Sequence, residues 1–373
     1  MKESLAEQLL GIELRWDTPT AKEEIGKLKY LAAVKYDSYR NFGPGKRFME
    51  SLVLWLRQFK TIEERRIAYG FILNRMLYIS EAQMDHLVDL LYPQRVIPRL
   101  LEQAGEKENI PSYQMKRIRT SETFKVLRRK TLFLGMSDGA RMDAFRRKHA
   151  LNNEQVSITF YLSSKKWESM QKDLRKWLAK NKIESEVAFE NIFLIDDFSG
   201  SGKTITNKLE KFVDEYLGTF KKPGILGKLC MECGPKIFVV TYIGTENALS
   251  QLREHIETFP RRKEQPYFVS CEILPPLQIF EDSLKVPQSD NNDDRAFDQL
   301  LSDYYDESLE DEHTGTGDKD VKYGYDGCAL PLVLCHNCPN NSVYLLWGET
   351  DKTEKKSGLK ALFPRIARHL EGR

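Results

Sequence analysis

The feature that most constrains this chain is a short apolar run followed at once by two carboxylates and a glycine-containing loop. Ile192-Phe193-Leu194-Ile195 is typical of a buried β-strand, and Asp196 and Asp197 come directly after it. Ser199-Gly200-Ser201-Gly202-Lys203-Thr204 then leads into a helical pattern. Since open α/β sheets bind ligands beyond the carboxyl ends of their strands, this order predicts a ligand site.

The loop itself predicts an anion site. Its two glycines allow the backbone to turn sharply and to approach an anion closely. Its hydroxyl groups and successive amides are hydrogen-bond donors, and the following helix presents its free N–H groups and the positive end of its dipole. We expect the whole loop to bind phosphate: Ser199, Gly200, Ser201, Gly202, Lys203 and Thr204.

A nucleoside-triphosphate loop is the alternative interpretation of this segment. The Walker A pattern requires a glycine at the position that Asp197 occupies, so the pattern fails. Two adjacent carboxylates beside a triphosphate would also add repulsion. They suit a sugar diol better, because they accept hydrogen bonds from hydroxyl groups and help to hold Mg²⁺. Asp196 and Asp197 are therefore the predicted diol and metal ligands.

The chain as a whole predicts an α/β fold with a parallel-sheet core and an N-terminal helical domain. Residues 1–112 predict four to six helices, with capping boxes at Thr61–Glu64 and Ser80–Gln83 and a helix end at Tyr92-Pro93. Strands and helices alternate over 113–282, which indicates the core. Residues 283–320 are strongly acidic and predict a flexible insert. Residues 321–373 predict an apolar strand at 343–347 and a basic helix from 352.

Composition limits the function classes. The 373 residues carry a net charge of +2, which is too small to indicate nucleic acid or an anionic membrane by itself. No run of about 18 apolar residues is present, so we expect no membrane span. Six cysteines in so long a chain do not suggest a disulfide framework, and we expect a cytoplasmic protein. Cys230/Cys233 and Cys335/Cys338 form two CxxC pairs, too far apart for a zinc ribbon; buried thiols are favoured over zinc.

The strand, the acid pair and the loop resemble the phosphoribosyl-diphosphate signature of type I phosphoribosyltransferases. The resemblance implies that Asp196 and Asp197 contact the ribose hydroxyls with Mg²⁺, and that residues 199–204 surround the 5-phosphate. In such proteins a loop after an earlier strand holds pyrophosphate, which points to Ser137, Asp138 and Gly139, with Arg141 or Arg146 neutralising the leaving group. A C-terminal hood covers the acceptor base, which points to His336 and Asn337, with Tyr344 or Trp347 stacking on it.

Three further stretches resemble phosphoribosyltransferase-like proteins of bacterial conflict systems. They are Leu77–His86, Leu134–Arg141 and Cys335–Asn341 followed by Trp347. The resemblance implies an antiviral, retron-type defence effector that acts on nucleotides. Its implied partners are phosphoribosyl diphosphate or a nucleotide, a co-encoded reverse transcriptase with its msDNA or a regulator, and a second copy of the chain.

Three functional hypotheses remain open at this stage. The first is a transferase or nucleotide-cleaving enzyme in which Asp196, Asp197 and Arg141 are catalytic. The second is an inactive nucleotide sensor, because purine-type relatives commonly have an Asp at the place of Gly200, and glycine cannot exchange a proton. The third is a nucleic-acid-associated effector that uses the basic stretch at 116–130 and the cluster at 146–148.

Overall fold

The structure is a computed structural model, and it describes residues 2–217, 235–262, 270–287, 291–310, 321–350, 352–353 and 356–365. The chain forms two compact units. The first combines Met1–Met84 with Glu281–Arg373, and the second is Asp85–Phe280. Both ends of the chain therefore belong to one unit, and the middle of the chain forms the other.

Helices account for the N-terminal region and alternate with strands in the second unit. In chain order they are α1 (Glu3–Leu14), α2 (Thr18–Val34), α3 (Phe48–Leu56), α4 (Ile62–Asn74), α5 (Glu81–Leu91), α6 (Ile97–Glu108), α7 (Met115–Thr120), α8 (Glu122–Arg129), α9 (Met142–Lys148), α10 (Ser164–Lys180), α11 (Lys203–Lys211), α12 (Glu246–Arg262), α13 (Asn292–Asp303) and α14 (Tyr344–Trp347). None of these helices combines the length and the apolar character needed to cross a membrane.

The strands among the described residues form one large parallel sheet and two small pairs. They are β1 (Leu77–Ile79), β2 (Thr131–Gly135), β3 (Val156–Ser157), β4 (Asn191–Ser199), β5 (Lys236–Thr245), β6 (Ser270–Ile273), β7 (Gln278–Phe280), β8 (Leu332–Leu334), β9 (Lys352–Thr353) and β10 (Lys356–Ser357). The large sheet lies in the second unit in the order β3-β2-β4-β5-β6, and β7 also pairs with β5. Its pairings are all parallel, which confirms the predicted α/β fold.

One face of the large sheet is covered by α10 and α11. Trp167, Met170 and Leu174 follow one another at helical spacing on α10 and are fully buried against β-strand residues such as Ile192 and Leu194. Each such buried side chain contributes about 1.5–3 kcal/mol relative to an exposed one. This packing fixes β4, and with it the residues that follow Ile195.

The predicted acidic insert contains a helix that the sequence interpretation did not include. Helix α13 packs on α4, with the rings of Phe297 and Phe71 stacked at 3.9 Å. Asp294, which is 2% exposed, pairs with Arg75 at 2.8 Å. The many acidic residues led to the prediction of a flexible segment. The apolar residues Phe297, Leu300 and Leu301 nevertheless share one side of α13 and are buried in the first unit. Residues 311–320 lie outside the described residues.

Of the helix boundaries predicted from local sequence patterns, the two capping boxes are present and the helix end at Tyr92-Pro93 is not. Both capping boxes are confirmed: Thr61 and Glu64 exchange hydrogen bonds, as do Ser80 and Gln83. The predicted helix end at Tyr92-Pro93 is wrong. A π-helical turn, Tyr92–Val96, carries the helical path from α5 into α6. The wider turn accommodates a proline that would disrupt a regular α-helix.

The C-terminal predictions were less accurate. The expected strand at 343–347 is wrong, because Tyr344–Trp347 forms α14; the strand lies earlier, at β8, and pairs in parallel with β1. The expected basic helix is also wrong for the residues described after 351. Lys352–Thr353 and Lys356–Ser357 pair as two short antiparallel strands there.

Candidate functional site

The register between β2 and β4 brings the acid pair to the loop that follows β2. Gly135, the last residue of β2, pairs with Ile195, and Ser137 and Asp197 each lie two residues further along the chain. The Ser137 hydroxyl contacts Oδ1 of Asp196 and lies 3.0 Å from Oδ1 of Asp197. The structure therefore brings together three residues that the sequence predicted to be part of one site.

The two carboxylates leave β4 on opposite faces, because successive strand side chains alternate. Asp196 shares the face of Ile192 and Leu194, which α11 covers, and it is 4% exposed. Nζ of Lys208, on α11, lies 3.5 Å from Oδ2 of Asp196 and donates to the Met136 carbonyl at 2.5 Å. Lys208 therefore links the acid pair, the loop after β2 and the helix of the predicted phosphate loop.

Burial and charge act together on Asp196. Burial is the largest cause that raises the pKa of its carboxyl, and the neighbouring charge of Asp197 raises it further. The Lys208 ammonium and the Ser137 hydroxyl oppose this rise, and the result is a pKa of about 7. The acid pair therefore shares a proton near neutral pH, and a bound cation would displace it.

Asp197 lies on the other face and is half-buried. Its carboxylate lies directly against Gly139, where an added Cβ would stand 2.2 Å from Oδ2 of Asp197. Only glycine allows the backbone of the loop to approach the carboxylate so closely. The predicted roles of Asp197 and Gly139 are therefore structurally connected, and the neighbouring Asp138 is exposed.

Tyr242 belongs to this site, and sequence reasoning missed it. Asp196 pairs with Thr241 of β5, so Tyr242 lies beside Asp197 on the same face of the sheet. Its hydroxyl is fully buried and donates to the Ala140 carbonyl at 2.9 Å. Burial first, and then the charge of Asp197, raises the pKa of Tyr242, so the phenol keeps its proton. Only the register of two strands identifies this residue.

The predicted phosphate loop lies at the junction of β4 and α11, although Ser199 ends the strand and Lys203 and Thr204 begin the helix. Gly202 precedes the helix with φ +82°, and an added Cβ would lie 3.2 Å from the Ala248 carbonyl. Glycine has no side chain with which to cap the helix, so the first-turn N–H groups face the loop. Thr245 holds the loop by donating to the Gly200 carbonyl at 2.7 Å. Ser199 and Ser201 are buried, whereas Lys203 and Thr204 are exposed.

Arg141 ends the loop that follows β2. Its backbone has φ +51°, a left-handed conformation, and its side chain is 10% exposed. Its Nη1 lies 3.1 Å from Oδ1 of Asp85, on α5. Its charge also acts on the Tyr242 hydroxyl, together with the charges of Asp197 and Asp196. Arg146, the alternative in the sequence prediction, pairs with Asp143 on its own helix.

His336 and Asn337 are held within the first unit. They lie on the turn between β8 and α14 and are half-buried. The Asn41 amide donates to the His336 carbonyl at 3.0 Å and to Oδ1 of Asn337 at 3.1 Å. The rings proposed for base stacking are buried, and Tyr344 donates to the Leu301 carbonyl while Trp347 donates to the Ser342 carbonyl.

Part of the basic stretch at 116–130 serves packing. Arg128 bonds the Tyr92 hydroxyl at 2.9 Å, Arg129 pairs with Asp173, and Lys130 pairs with Glu190 at 3.1 Å. Arg129 and Lys130 are buried, so they cannot form an exposed surface for nucleic acid. The remaining basic residues of the stretch are exposed: Lys116, Arg117, Arg119 and Lys125.

The cysteine pairs give no metal centre within the described part of the chain. Cys335 and Cys338 are buried thiols that form no disulfide. Burial raises the pKa of Cys338 to about 12, so its thiol is protonated. Cys230 and Cys233 lie outside the described residues. Among the residues that the structure describes, no three His, Cys, Asp or Glu side chains lie close enough together to hold a metal ion.

The acid pair nevertheless fits Mg²⁺. This ion commonly binds one or two carboxylates, and substrate phosphates and water complete its octahedron. Asp197 is half-buried and Asp196 has a raised pKa, so a cation beside them relieves their mutual repulsion. The donor set therefore suits a metal that arrives with a phosphorylated ligand.

Comparison with known proteins agrees with this geometry. The family model described as PRTase-CE matches residues 52–365, which include the acid pair, both loops and the turn at His336. Neither the curated proteins nor the solved structures include a match to the chain. The match extends over most of the chain, from α3 to the C-terminal residues that the structure describes. The chain therefore belongs to the PRTase-CE family and is a phosphoribosyltransferase-like protein.

Proposed function

We propose that this protein is a Mg²⁺-dependent enzyme that takes phosphoribosyl diphosphate or a nucleotide and makes or breaks the bond at ribose C1. The observation that carries the proposal is the contact of the Ser137 hydroxyl with both Asp196 and Asp197. This contact joins the loop after β2 to the acid pair, and the loop at 199–204 follows the acid pair along the chain. The diol, the 5-phosphate and the diphosphate of one phosphoribosyl diphosphate molecule would contact these three elements.

Each element has a distinct task in the proposal. Asp197 accepts hydrogen bonds from the ribose hydroxyls, and the loop at 199–204 binds the 5-phosphate with its amides. Arg141 and the amides of 137–139 bind the diphosphate. Their positive charge stabilises the leaving group as negative charge develops on it. Mg²⁺, held by the acid pair, supplies further neutralisation of the diphosphate.

Asp196 has a different task from Asp197. It is buried, and it receives the Asp197 backbone N–H at 3.0 Å in addition to its contacts with Ser137 and Lys208. These contacts orient the backbone from which the Asp197 side chain projects. Asp197 is therefore the better residue for a test of ligand binding, since its side chain is half-buried whereas that of Asp196 is buried.

The test is calorimetry of phosphoribosyl diphosphate with Mg²⁺, together with an assay of pyrophosphate release from mixed bases and nucleotides. We expect Asp197→Asn to fold normally and to lose turnover, because a neutral amide binds a metal more weakly than a carboxylate and accepts fewer hydrogen bonds. Asp143→Asn is the matched control, since Asp143 is an exposed carboxylate on α9. Equal turnover of wild type and Asp197→Asn would remove the catalytic role.

A non-catalytic sensor is the second candidate, and Gly200 favours it. Its backbone is buried and its carbonyl accepts a bond from Thr245, so this position supplies no acid or base. The same experiments distinguish the two functions. Binding of phosphoribosyl diphosphate without pyrophosphate release over hours supports the sensor, and release supports the enzyme.

We further propose an antiviral role in a retron-type defence system, on the resemblance of Leu77–His86, Leu134–Arg141 and Cys335–Asn341 to bacterial conflict proteins. The partner would be a co-encoded reverse transcriptase with its msDNA or a regulator. Phage plating on cells that carry the complete gene cluster tests this role. Loss of protection with Asp197→Asn supports it, and unchanged protection contradicts the link between the site and defence.

A further inference from the structure

The segment Leu77–His86 ends at the candidate site, although no residue of it was predicted to take part in ligand binding. Its last residue but one, Asp85, lies on α5 within the second unit. Oδ1 of Asp85 is 3.1 Å from Nη1 of Arg141. Asp85 is therefore the residue of this segment that reaches the loop after β2.

The contact with Asp85 joins the Arg141 side chain to a helix outside its own loop. The backbone of Arg141 is left-handed, with φ +51°, a conformation that non-glycine residues rarely adopt. The Tyr242 hydroxyl fixes the preceding carbonyl, that of Ala140, and the Phe145 N–H fixes the carbonyl of Arg141 at 3.0 Å. These bonds hold the backbone, but they leave the long side chain to be oriented by what its guanidinium contacts.

The Asp85–Arg141 pair has the exposure expected of an orienting contact. The Asp85 side chain is 47% exposed and that of Arg141 only 10%. An ion pair with so exposed a carboxylate contributes little to folding stability. A guanidinium carries five N–H groups in a planar fork, so it can contact more than one partner at the same time.

We propose that Asp85 is a positioning residue that directs the Arg141 guanidinium toward the diphosphate of the ligand. This inference rests on the proposed function, in which Arg141 binds that diphosphate. Asp85 itself does not touch the ligand; it fixes the torsions of Arg141 before binding, so that less conformational entropy is lost when the anion arrives.

The chain offers a matched control one helical turn further along. Asp89 lies on the same helix, its side chain is 52% exposed, and its Oδ1 pairs with Nζ of Lys148 at 2.9 Å. Lys148 also donates to the Asp85 carbonyl at 3.0 Å, and this bond to the backbone does not depend on the Asp85 side chain. Asp89→Asn therefore removes an equivalent ion pair that does not involve Arg141.

The experiment compares two ligands on the full chain with Mg²⁺ by calorimetry. Phosphoribosyl diphosphate has the diphosphate, whereas ribose 5-phosphate lacks it and retains the diol and the 5-phosphate. We expect Asp85→Asn to weaken phosphoribosyl diphosphate binding about three- to fivefold, the largest effect that the loss of an exposed ion pair worth up to about 1 kcal/mol can have. Ribose 5-phosphate affinity is expected to stay within about twofold, and Asp89→Asn within about twofold for both ligands.

A double-mutant cycle separates positioning from a general structural effect. If Asp85 acts through Arg141, Asp85→Asn has no further effect on phosphoribosyl diphosphate affinity in the Arg141→Gln background. Additive losses, equal losses for both ligands, or a loss with Asp89→Asn of the same size would each overturn the inference. Should Asp85→Asn fail to fold, Asp85→Glu replaces it, because the added methylene displaces the carboxylate and keeps its charge.

Failure of the proposed function looks different from failure of this inference. Wild-type protein that binds neither ligand overturns the proposed function, and the inference with it. Wild-type protein that binds both ligands while Asp85→Asn retains full affinity for phosphoribosyl diphosphate leaves the proposed function intact and overturns only the role of Asp85.

Discussion

Replacement of Asp196 by asparagine is expected to stabilise the protein at alkaline pH while it removes a residue of the candidate site. Asp196 is buried beside Asp197, and these two causes raise its pKa from 3.8 to about 7. An asparagine resembles the protonated acid in shape. Its oxygen accepts the same bonds from Ser137 and from the Asp197 N–H.

The sign follows from the protons bound in each state. Between pH 3.8 and pH 7 the folded protein keeps the Asp196 proton, whereas the unfolded chain has lost it. The stabilisation from this group is therefore complete below pH 3.8 and is lost as the pH rises through 7. A shift of this size corresponds to about 4 kcal/mol, of which about 3 kcal/mol is lost between pH 5 and pH 8. The Asp196→Asn variant has no such loss, since its amide does not titrate.

The measurement is differential scanning calorimetry of wild type and Asp196→Asn at pH 5, 6, 7 and 8 without Mg²⁺. For a unit of this size, about 3 kcal/mol corresponds to a melting-temperature difference of about 6–12 °C. We expect the advantage of the variant to grow by that amount from pH 5 to pH 8. Asp138→Asn is the control, since Asp138 is an exposed carboxylate on the neighbouring loop.

Two results would refute this reasoning. A difference between wild type and variant that does not change with pH would show that Asp196 is not protonated near neutrality in the folded protein. A wild type that gains stability over the variant as the pH rises would show that its pKa is lowered instead. Millimolar Mg²⁺ is expected to stabilise wild type more at pH 8 than at pH 6, because the metal competes with the proton.

Two further predictions concern one residue in each unit. Gly139→Ala places a Cβ 2.2 Å from Oδ2 of Asp197, so we expect the carboxylate to be displaced and phosphoribosyl diphosphate affinity to fall at least about tenfold by calorimetry. Unchanged affinity would show that this carboxylate does not contact the ligand. Arg75→Met leaves Asp294 buried without its cation partner, and we expect a loss of about 3–5 kcal/mol in the free energy of unfolding, measured by denaturant titration. A loss below about 1 kcal/mol, as for an exposed pair such as Lys360–Glu349, would contradict the structural role of the Arg75–Asp294 pair.

The sequence predicted those parts of the fold and site that a local pattern determines. The strand before Asp196, the glycine at 202 and the helix after it follow from residues within one short segment. Their order predicts the succession of strand, loop and helix, but it placed the end of the strand at Ile195, whereas β4 continues to Ser199. The capping boxes at Thr61 and Ser80 are local in the same sense, and both are present.

Residues that depend on strand register or helix phase could not be predicted. Tyr242 is part of the site only because β5 pairs with β4 so that Thr241 lies opposite Asp196. In the sequence, nothing distinguishes Lys208 from the other lysines of α11. Only the orientation of this helix in the structure shows that the Lys208 side chain contacts Met136 and Asp196. Asp85 is distant in sequence from Arg141, and no local signal connects them. Composition gave the wrong prediction for α13, because its acidic residues suggested a flexible segment although its apolar residues are buried.

The protonation states of the side chains at the site limit which reactions the proposed enzyme could catalyse. Gly200 has no side chain, and the raised pKa of Tyr242 makes its phenol a donor and not a base. Asp196 is buried on the α11 face, where its carboxylate contacts Ser137 and Lys208. The remaining groups on the other face, Asp197 and Arg141, orient hydroxyls and neutralise a leaving diphosphate. Such a site suits a reaction at ribose C1 whose attacking group needs no base at the position of Gly200. Hydrolysis products should therefore be sought alongside transfer products when the protein is incubated with phosphoribosyl diphosphate and nucleotides.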